Sequence, residues 1–268
     1  MADCNKDNHD AIEVHQYDQD TYILRQNMCL HSEAPFMYLL FGEQKALLID
    51  TGATASKNSF PLADIVNKIS LKRVKIRQHQ PQTVSLLVVH SHSHSDHIAA
   101  DKQFYNRANT TVIAPNNQQN MKTAFGLKNW PEQIAQIDLG NRLVNIIPSP
   151  GHLQDAITFY DHKTQWLMTG DTLYPGRLYI NQWAQYKQSI DRLVKFSQNN
   201  RIAAILGAHI EMSSTPKKDY VMGSTFHPSE ASLVLHREDL LELKAKLDKI
   251  APSNQKHVMD KFIIYPVK

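Results

Sequence analysis

Between residues 84 and 97 the chain passes directly from a short apolar run, Val84-Ser85-Leu86-Leu87-Val88-Val89, through His90 into His92-Ser93-His94-Ser95-Asp96-His97. The apolar run reads as a strand buried on both sides, and the residues after it read as a loop leading into a helix. Three imidazoles and a carboxylate in six positions then stand at a strand-to-helix junction. Where a strand ends in extended backbone, side chains two apart point the same way. His92 and His94 therefore aim at one position and can share a cation. Asp96 and His97 fall on the turn into the helix and can face a second, adjacent position, while Ser93 and Ser95 are too small to crowd either. A solvated His-rich loop or a tag-like metal scavenger would show the same residues, but not inside a core junction.

Histidine is the unusual count in this chain, at 14 in 268 residues, and it is both the commonest metal ligand and the usual proton carrier near neutral pH. The rest of the composition is ordinary for a globular protein. The net charge is +3, from 29 basic and 26 acidic side chains, and the cations are scattered. With no basic face, no nucleic-acid partner is expected. No apolar stretch is long enough to span a bilayer, so no membrane partner is expected either. Two cysteines, Cys4 and Cys29, make at most one disulfide. Met1 to Ile12 is polar and reads as an N-terminal tail over 1–12, followed by a single domain over 13–268. No charged-then-apolar leader is visible, which favours the cytoplasm, or a periplasmic or secreted location if a signal was removed. The sequence leaves the oligomeric state open.

Hydrophobic patterning gives an α/β chain. Two apolar runs, 36–41 and 45–50, flank a Gly-Glu turn as a hairpin. A helix is predicted over 61–69, a basic loop over 72–81, and a helix from about 98 to 107. Further strands are predicted at 110–114, 143–147, 202–206 and 262–267, with a hairpin formed by 157–160 and 166–169. Helices are predicted at 116–124, 183–196 and 237–250. Residues 211–228 read as a long loop.

Other ligand-type residues stand at the ends of predicted strands, each beside a glycine: His152 in Ser149-Pro150-Gly151-His152, Asp171 in Gly170-Asp171, and His209 in Gly207-Ala208-His209. Glycine there lets the backbone turn sharply and approach a site closely. Taken in order with Leu48-Ile49-Asp50-Thr51-Gly52 and the 92–97 motif, these pieces resemble the metallo-β-lactamase-fold hydrolases from about residue 36 to 209. The resemblance implies a four-layer αβ/βα sandwich with two mixed sheets and the metals at one edge. It implies one divalent ion on His92, His94 and His152, a second on Asp96, His97 and His209, Asp171 bridging both, and Asp50 behind them. The sequence departs from the family in Ile98-Ala99-Ala100, where Gly is usual, and in Leu153-Gln154-Asp155-Ala156 after His152.

The expected reaction is hydrolysis of a small-molecule ester, lactone or thioester by a hydroxide held between two metal ions, with Asp96 orienting that nucleophile. All the ligands are N and O donors. They suit two Zn2+, although Fe or Mn would also fit. A β-lactamase or a phosphodiesterase on the same site is an alternative; so is an iron-dependent, persulfide-dioxygenase-like oxidoreductase, which the full second ligand set argues against. Glyoxalase II-like enzymes add a helical C-terminal glutathione-binding region. Here 59 residues follow His209, with one clear helix. Tyr174, Tyr179 and Trp183 are candidates to line an apolar pocket, but aromatic residues at this spacing are more often core.

Overall fold

In the computed structural model, Cys4 and residues 10–76, 84–115 and 117–267 are described. The first half builds β1 (Ile12–Asp18), β2 (Thr21–Gln26), β3 (Phe36–Phe41), β4 (Lys45–Ile49), α1 (Leu62–Ile76), β5 (Ser85–Val89), a one-turn α2 (Ser95–Ile98) and β6 (Thr110–Val112). The six strands form one mixed sheet in chain order, antiparallel from β1 to β4 and parallel from β4 to β6. After α3 (Gln118–Ala124) come β7 (Ala135–Asp138), β8 (Leu143–Pro148), β9 (Ile157–Asp161), β10 (Trp166–Gly170), β11 (Arg177–Ile180), α4 (Trp183–Asn199), β12 (Ala204–Gly207), β13 (Val234–Leu235), α5 (Arg237–Lys249), β14 (His257–Val258) and β15 (Ile263–Pro266). The second sheet has the order β13-β12-β10-β9-β8-β7, and β11-β15-β14 make a small third one.

Strand periodicity sorts the side chains into layers. Tyr38, Leu40, Leu47 and Ile49 of the first sheet share a buried cluster with Val144, Ile146, Phe159 and Met168 of the second. Their neighbours Met37, Leu39, Phe41 and Leu48 point the other way and pack on Leu62, Val66 and Ile69 of α1. Tyr160, Leu167 and Ile205, on the far face of the second sheet, pack on Tyr186, Ile190 and Leu193 of α4 and Leu240, Leu243 and Leu247 of α5. The order helix, sheet, sheet, helix is the αβ/βα sandwich, and it explains why β3, β9 and β10 are buried at every position.

Both expected hairpins form, as β3–β4 and β9–β10. The expected helix over 98–107 does not. After α2 there is only a short 3-10 turn over Asp101–Gln103. The Asp101 carboxylate turns inward to accept from Thr51 Oγ1 at 2.8 Å and to meet His90 Nε2 at 2.8 Å. Asn106 and Asn109 then adopt left-handed backbone and end the segment. Residues 72–76, expected as loop, continue α1, because Arg73 is buried: Nε donates to Asp20 Oδ1 and Nη2 to the Gly42 carbonyl, both at 2.8 Å. The remainder of that expected loop, 77–81, lies outside the described residues. Cys4 and Cys29 form a disulfide. No helix among the described residues is long and apolar enough to cross a membrane.

One buried ion pair fastens the two sheets. Arg142 donates through Nε and Nη2 to both oxygens of Asp161 on β9, at 2.9 and 2.7 Å. Its remaining hydrogens reach the Asp20 and Phe41 carbonyls and Thr21 Oγ1 on the first sheet. Burial opposes charge on Asp161, but the guanidinium overrides it and holds the carboxyl below its ordinary value. The stability this contributes is therefore present above pH 3.8, the ordinary value, and is lost as pH falls through the lower folded value. Arg142→Met leaves Asp161 charged and alone, and urea denaturation at pH 7 should show a loss of about 3–5 kcal/mol. A loss below about 1 kcal/mol would show that the pair does not fasten the sheets.

Candidate metal centre

Five strand ends deliver the site. β4 ends at Asp50, β5 runs into His90 to His97, β8 leads to His152, β10 ends beside Asp171, and β12 leads to His209. The C-terminal ends of β4, β5, β10 and β12 are thus at one edge of the sandwich, where open α/β sheets place their ligands. The close approach needs glycine at two places. Gly170 has φ +51°, and a Cβ there would lie 2.6 Å from Ser91 Cβ. Gly151 has φ +142°, and a Cβ there would lie 2.3 Å from the Tyr186 Cα in α4. Either side chain would push a ligand loop off its support.

The residues singled out in the sequence fall into two groups whose ligand atoms lie within 4.8 Å of one another: His92, His94, His152 and Asp171 in one, and Asp96, His97 and His209 in the other. Asp171 belongs to both by distance. Its Oδ2 lies 3.9 Å from His92 Nε2 and 3.6 Å from His152 Nε2, while its Oδ1 lies 3.5 Å from His97 Nε2 and 3.4 Å from His209 Nε2. Asp96 Oδ2 is 3.4 Å from His97 Nε2 and 3.3 Å from His209 Nε2.

Behind the ligands, hydrogen bonds fix which nitrogen faces inward. His152 Nδ1 donates to the Tyr179 carbonyl, 2.8 Å away, and His209 Nδ1 to the Glu33 carbonyl, also at 2.8 Å. His97 Nδ1 lies 2.9 Å from Asp50 Oδ2. Asp50 also accepts from Ser91 N and Oγ, and it sits in left-handed backbone at φ +67°, a conformation tolerated by Asp more readily than by most residues. His90, held between Asp101 and the Ile113 carbonyl, braces the strand end. Sequence reasoning found Asp50 but not Ser91 or Glu33, and it singled out Tyr179 only for its ring. The last two act through their carbonyls, which side-chain chemistry cannot flag.

This wiring limits what the site can hold. With their Nδ1 hydrogens committed, the neutral rings of His152, His97 and His209 present bare lone pairs on Nε2. Yet His209 Nε2 lies 3.4 Å from His97 Nε2, and His152 Nε2 and His92 Nε2 each lie 3.0 Å from His94 Nδ1. Lone pairs facing at that distance need a proton or a cation between them. Asp171 Oδ1 is buried with no hydrogen-bond partner. The charges agree. Burial pushes His92 and His94 down, and neighbouring imidazoles add to it. At His97 and His209 burial acts the same way but is overridden, by Asp50 and Asp171 at the first and by Asp171 and Asp96 at the second. His209 is pushed up to about 10. Burial also opposes charge on Asp171 and Asp96, yet the imidazoles hold both well below the usual carboxylate range. Such a cluster draws in positive charge, and its N and O donors fit divalent metal ions.

The aromatic residues of the same region divide. Tyr174 is core, with its ring 5.6 Å from that of His209. Trp183 packs on the same core cluster. Residues 211–228 are pinned at their base by bridges Met212–Asp219 and Ser213–Glu230. There Glu211 and Asp219 pair with Arg177, and the Tyr220 ring stacks on His227 at 4.0 Å.

The profile of the metallo-beta-lactamase superfamily matches residues 33–256, and the chain belongs to that superfamily. The family is metal-dependent. A curated relative, hydroxyacylglutathione hydrolase of Chelativorans sp. (strain BNC1), is 32% identical over 119 residues, 42% of this chain and 44% of its own length. The same-named protein of Francisella philomiragia subsp. philomiragia is 27% identical over 220 residues, 79% of this chain and 75% of its own length. The first two curated relatives are matched over 44% and 54% of their own length, about half. Among solved structures, a metallo-beta-lactamase from Pontibacter korlensis superposes with a TM-score of 0.57 at 16% identity, covering 89% of this chain and 100% of that one. At that identity the likeness is one of fold.

Asp50 belongs to neither group of candidate ligands, but it orients His97. Asp50→Ala should weaken metal affinity by about 10–100-fold when measured by competition with a chromophoric chelator. Undiminished affinity would show that the orientation of His97 does not depend on it.

Proposed function

We propose that the protein is a dinuclear metal-dependent hydrolase acting on a small-molecule thioester. The observation that carries this reading is the placement of Asp171, whose two oxygens face two separate ligand groups. His92, His94 and His152 would hold one divalent ion and Asp96, His97 and His209 the second, with Asp171 within reach of both. Two such ions supply a nucleophile at neutral pH and polarise the carbonyl under attack. Zinc is the metal of choice for a donor set of imidazole and carboxylate. The chain's two cysteines are joined to each other, so neither offers a thiolate.

The protein's own groups do the rest. Asp96, with 19% of its side chain exposed against 8% for Asp171, is the carboxylate open to an incoming water. It orients that water by accepting a hydrogen bond. The Tyr179 and Glu33 carbonyls and Asp50 keep three rings in one tautomer, so the ligand geometry does not relax as charge develops. The thioester class is drawn from the names of the curated relatives, all hydrolases of an acyl thiol.

Zinc-loaded protein should hydrolyse simple acyl thioesters faster than lactones, oxygen esters or phosphodiesters. His92→Ala and Asp171→Ala should each abolish that turnover and lower bound zinc. Full activity in either variant, or a preparation carrying one iron per chain with oxygen-dependent turnover, would contradict the reading.

A further inference from the structure

A cavity of about 360 Å3 adjoins the metal cluster. Ser93, between the ligands His92 and His94, and His152 itself form part of its wall, together with Asn117, Asp155, Asn181 and Gln182. Asp155 is 4% exposed. Both of its carboxylate oxygens are buried without a hydrogen-bond partner, and so is Gln182 Oε1. Three of the neighbouring donors are already committed. Asn181 Nδ2 donates to the His152 carbonyl at 2.6 Å, and the backbone N–H groups of Asn181 and Gln182 both donate to the Gly151 carbonyl. The described residues that line the cavity include no Lys or Arg. Three other buried donors lack partners, Arg25 Nε, Trp130 Nε1 and Arg192 Nε, but none of these residues lines this cavity.

A buried carboxylate with no donor is costly unless something brings it hydrogen and positive charge. Three acceptor atoms without partners, carried by two residues of a cavity wall that also includes His152, describe what that something is. We propose that this cavity is the subsite for a primary ammonium group of the substrate, received by Asp155 and Gln182 while the acyl group lies at the metal cluster. An ammonium offers three N–H donors and one positive charge, which suits two carboxylate oxygens and an amide oxygen. The inference rests on the hydrolase reading for what lies at the metals, and it narrows the substrate class to amine-bearing acyl compounds.

Binding, rather than turnover, tests it. Zinc-loaded full-length protein is titrated calorimetrically with ω-amino acids from β-alanine to 6-aminohexanoate and with n-alkanoates of the same length. The carboxylate of either series anchors at the metals; only the amino acids bring an ammonium. At the length that spans the two positions the amino acid should bind about ten-fold tighter or more, equivalent to at least about 1.4 kcal/mol. Asp155→Asn should bring that ratio close to one, and Gln182→Leu should reduce it. The ratio compares two ligands on one protein, so a variant with less zinc lowers both alike, and Gln182→Leu serves if Asp155→Asn fails to fold. An amino acid that gains nothing over its alkanoate at any length, or a gain that survives both substitutions, overturns the proposal. Thioester turnover is assayed separately. Its absence would remove the hydrolase reading and leave this ratio as measured.

Discussion

Imidazole nitrogens face one another across 3.0–3.4 Å, on rings of which all but His94 already spend the other nitrogen on a hydrogen bond, and two carboxylates stand among them. Everything else in the molecule is arranged around that electrostatic demand. Left to itself such a cluster would open until water separated its members. It stays closed because its ligands are carried on short turns from buried strands, and because carbonyls and a carboxylate behind the rings hold them in place. The demand is met by protons or by metal ions, and the donor chemistry favours metal ions.

The sandwich supplies the stiffness this requires. Both sheets are covered on both faces, so the strands that end at the site cannot shift without disturbing a close-packed layer. Arg142 and Asp161 tie the sheets together. Ser91 and Asp50 link the ends of β5 and β4 directly beneath the first ligand. The 211–228 segment, although it has little regular structure, is fastened by ion pairs through Arg177 to the strand that supports His152.

Much of this is legible in the sequence, and for identifiable reasons. The strands that build the centre are short, uniformly apolar and succeeded by a glycine or a ligand, so both the layers and the site residues can be read from type and spacing. The resemblance to the metallo-β-lactamase fold links them. Other features are hidden because they depend on partners distant in sequence. Arg73 and Asp101 look like solvent-facing charges until Asp20 and His90 are beside them, and for that reason the pattern alone ends α1 early and keeps the segment after α2 helical. β1 alternates poorly and exposes most of its positions, so nothing local marks it as a strand. The backbone carbonyls of Glu33 and Tyr179 leave no trace in side-chain chemistry. Asp155 is visible only as a departure from the family pattern; its burial without a donor is a property of the fold.

The central claim is that two cations sit in this cluster and share Asp171. X-ray anomalous scattering at the zinc edge, from crystals grown with zinc, tests it directly. The account predicts two peaks about 3.5–4 Å apart, one among His92, His94 and His152, the other among Asp96, His97 and His209, with the Asp171 carboxylate reaching both. A single peak in the cluster, or zinc bound instead at His162 or His227, would contradict it.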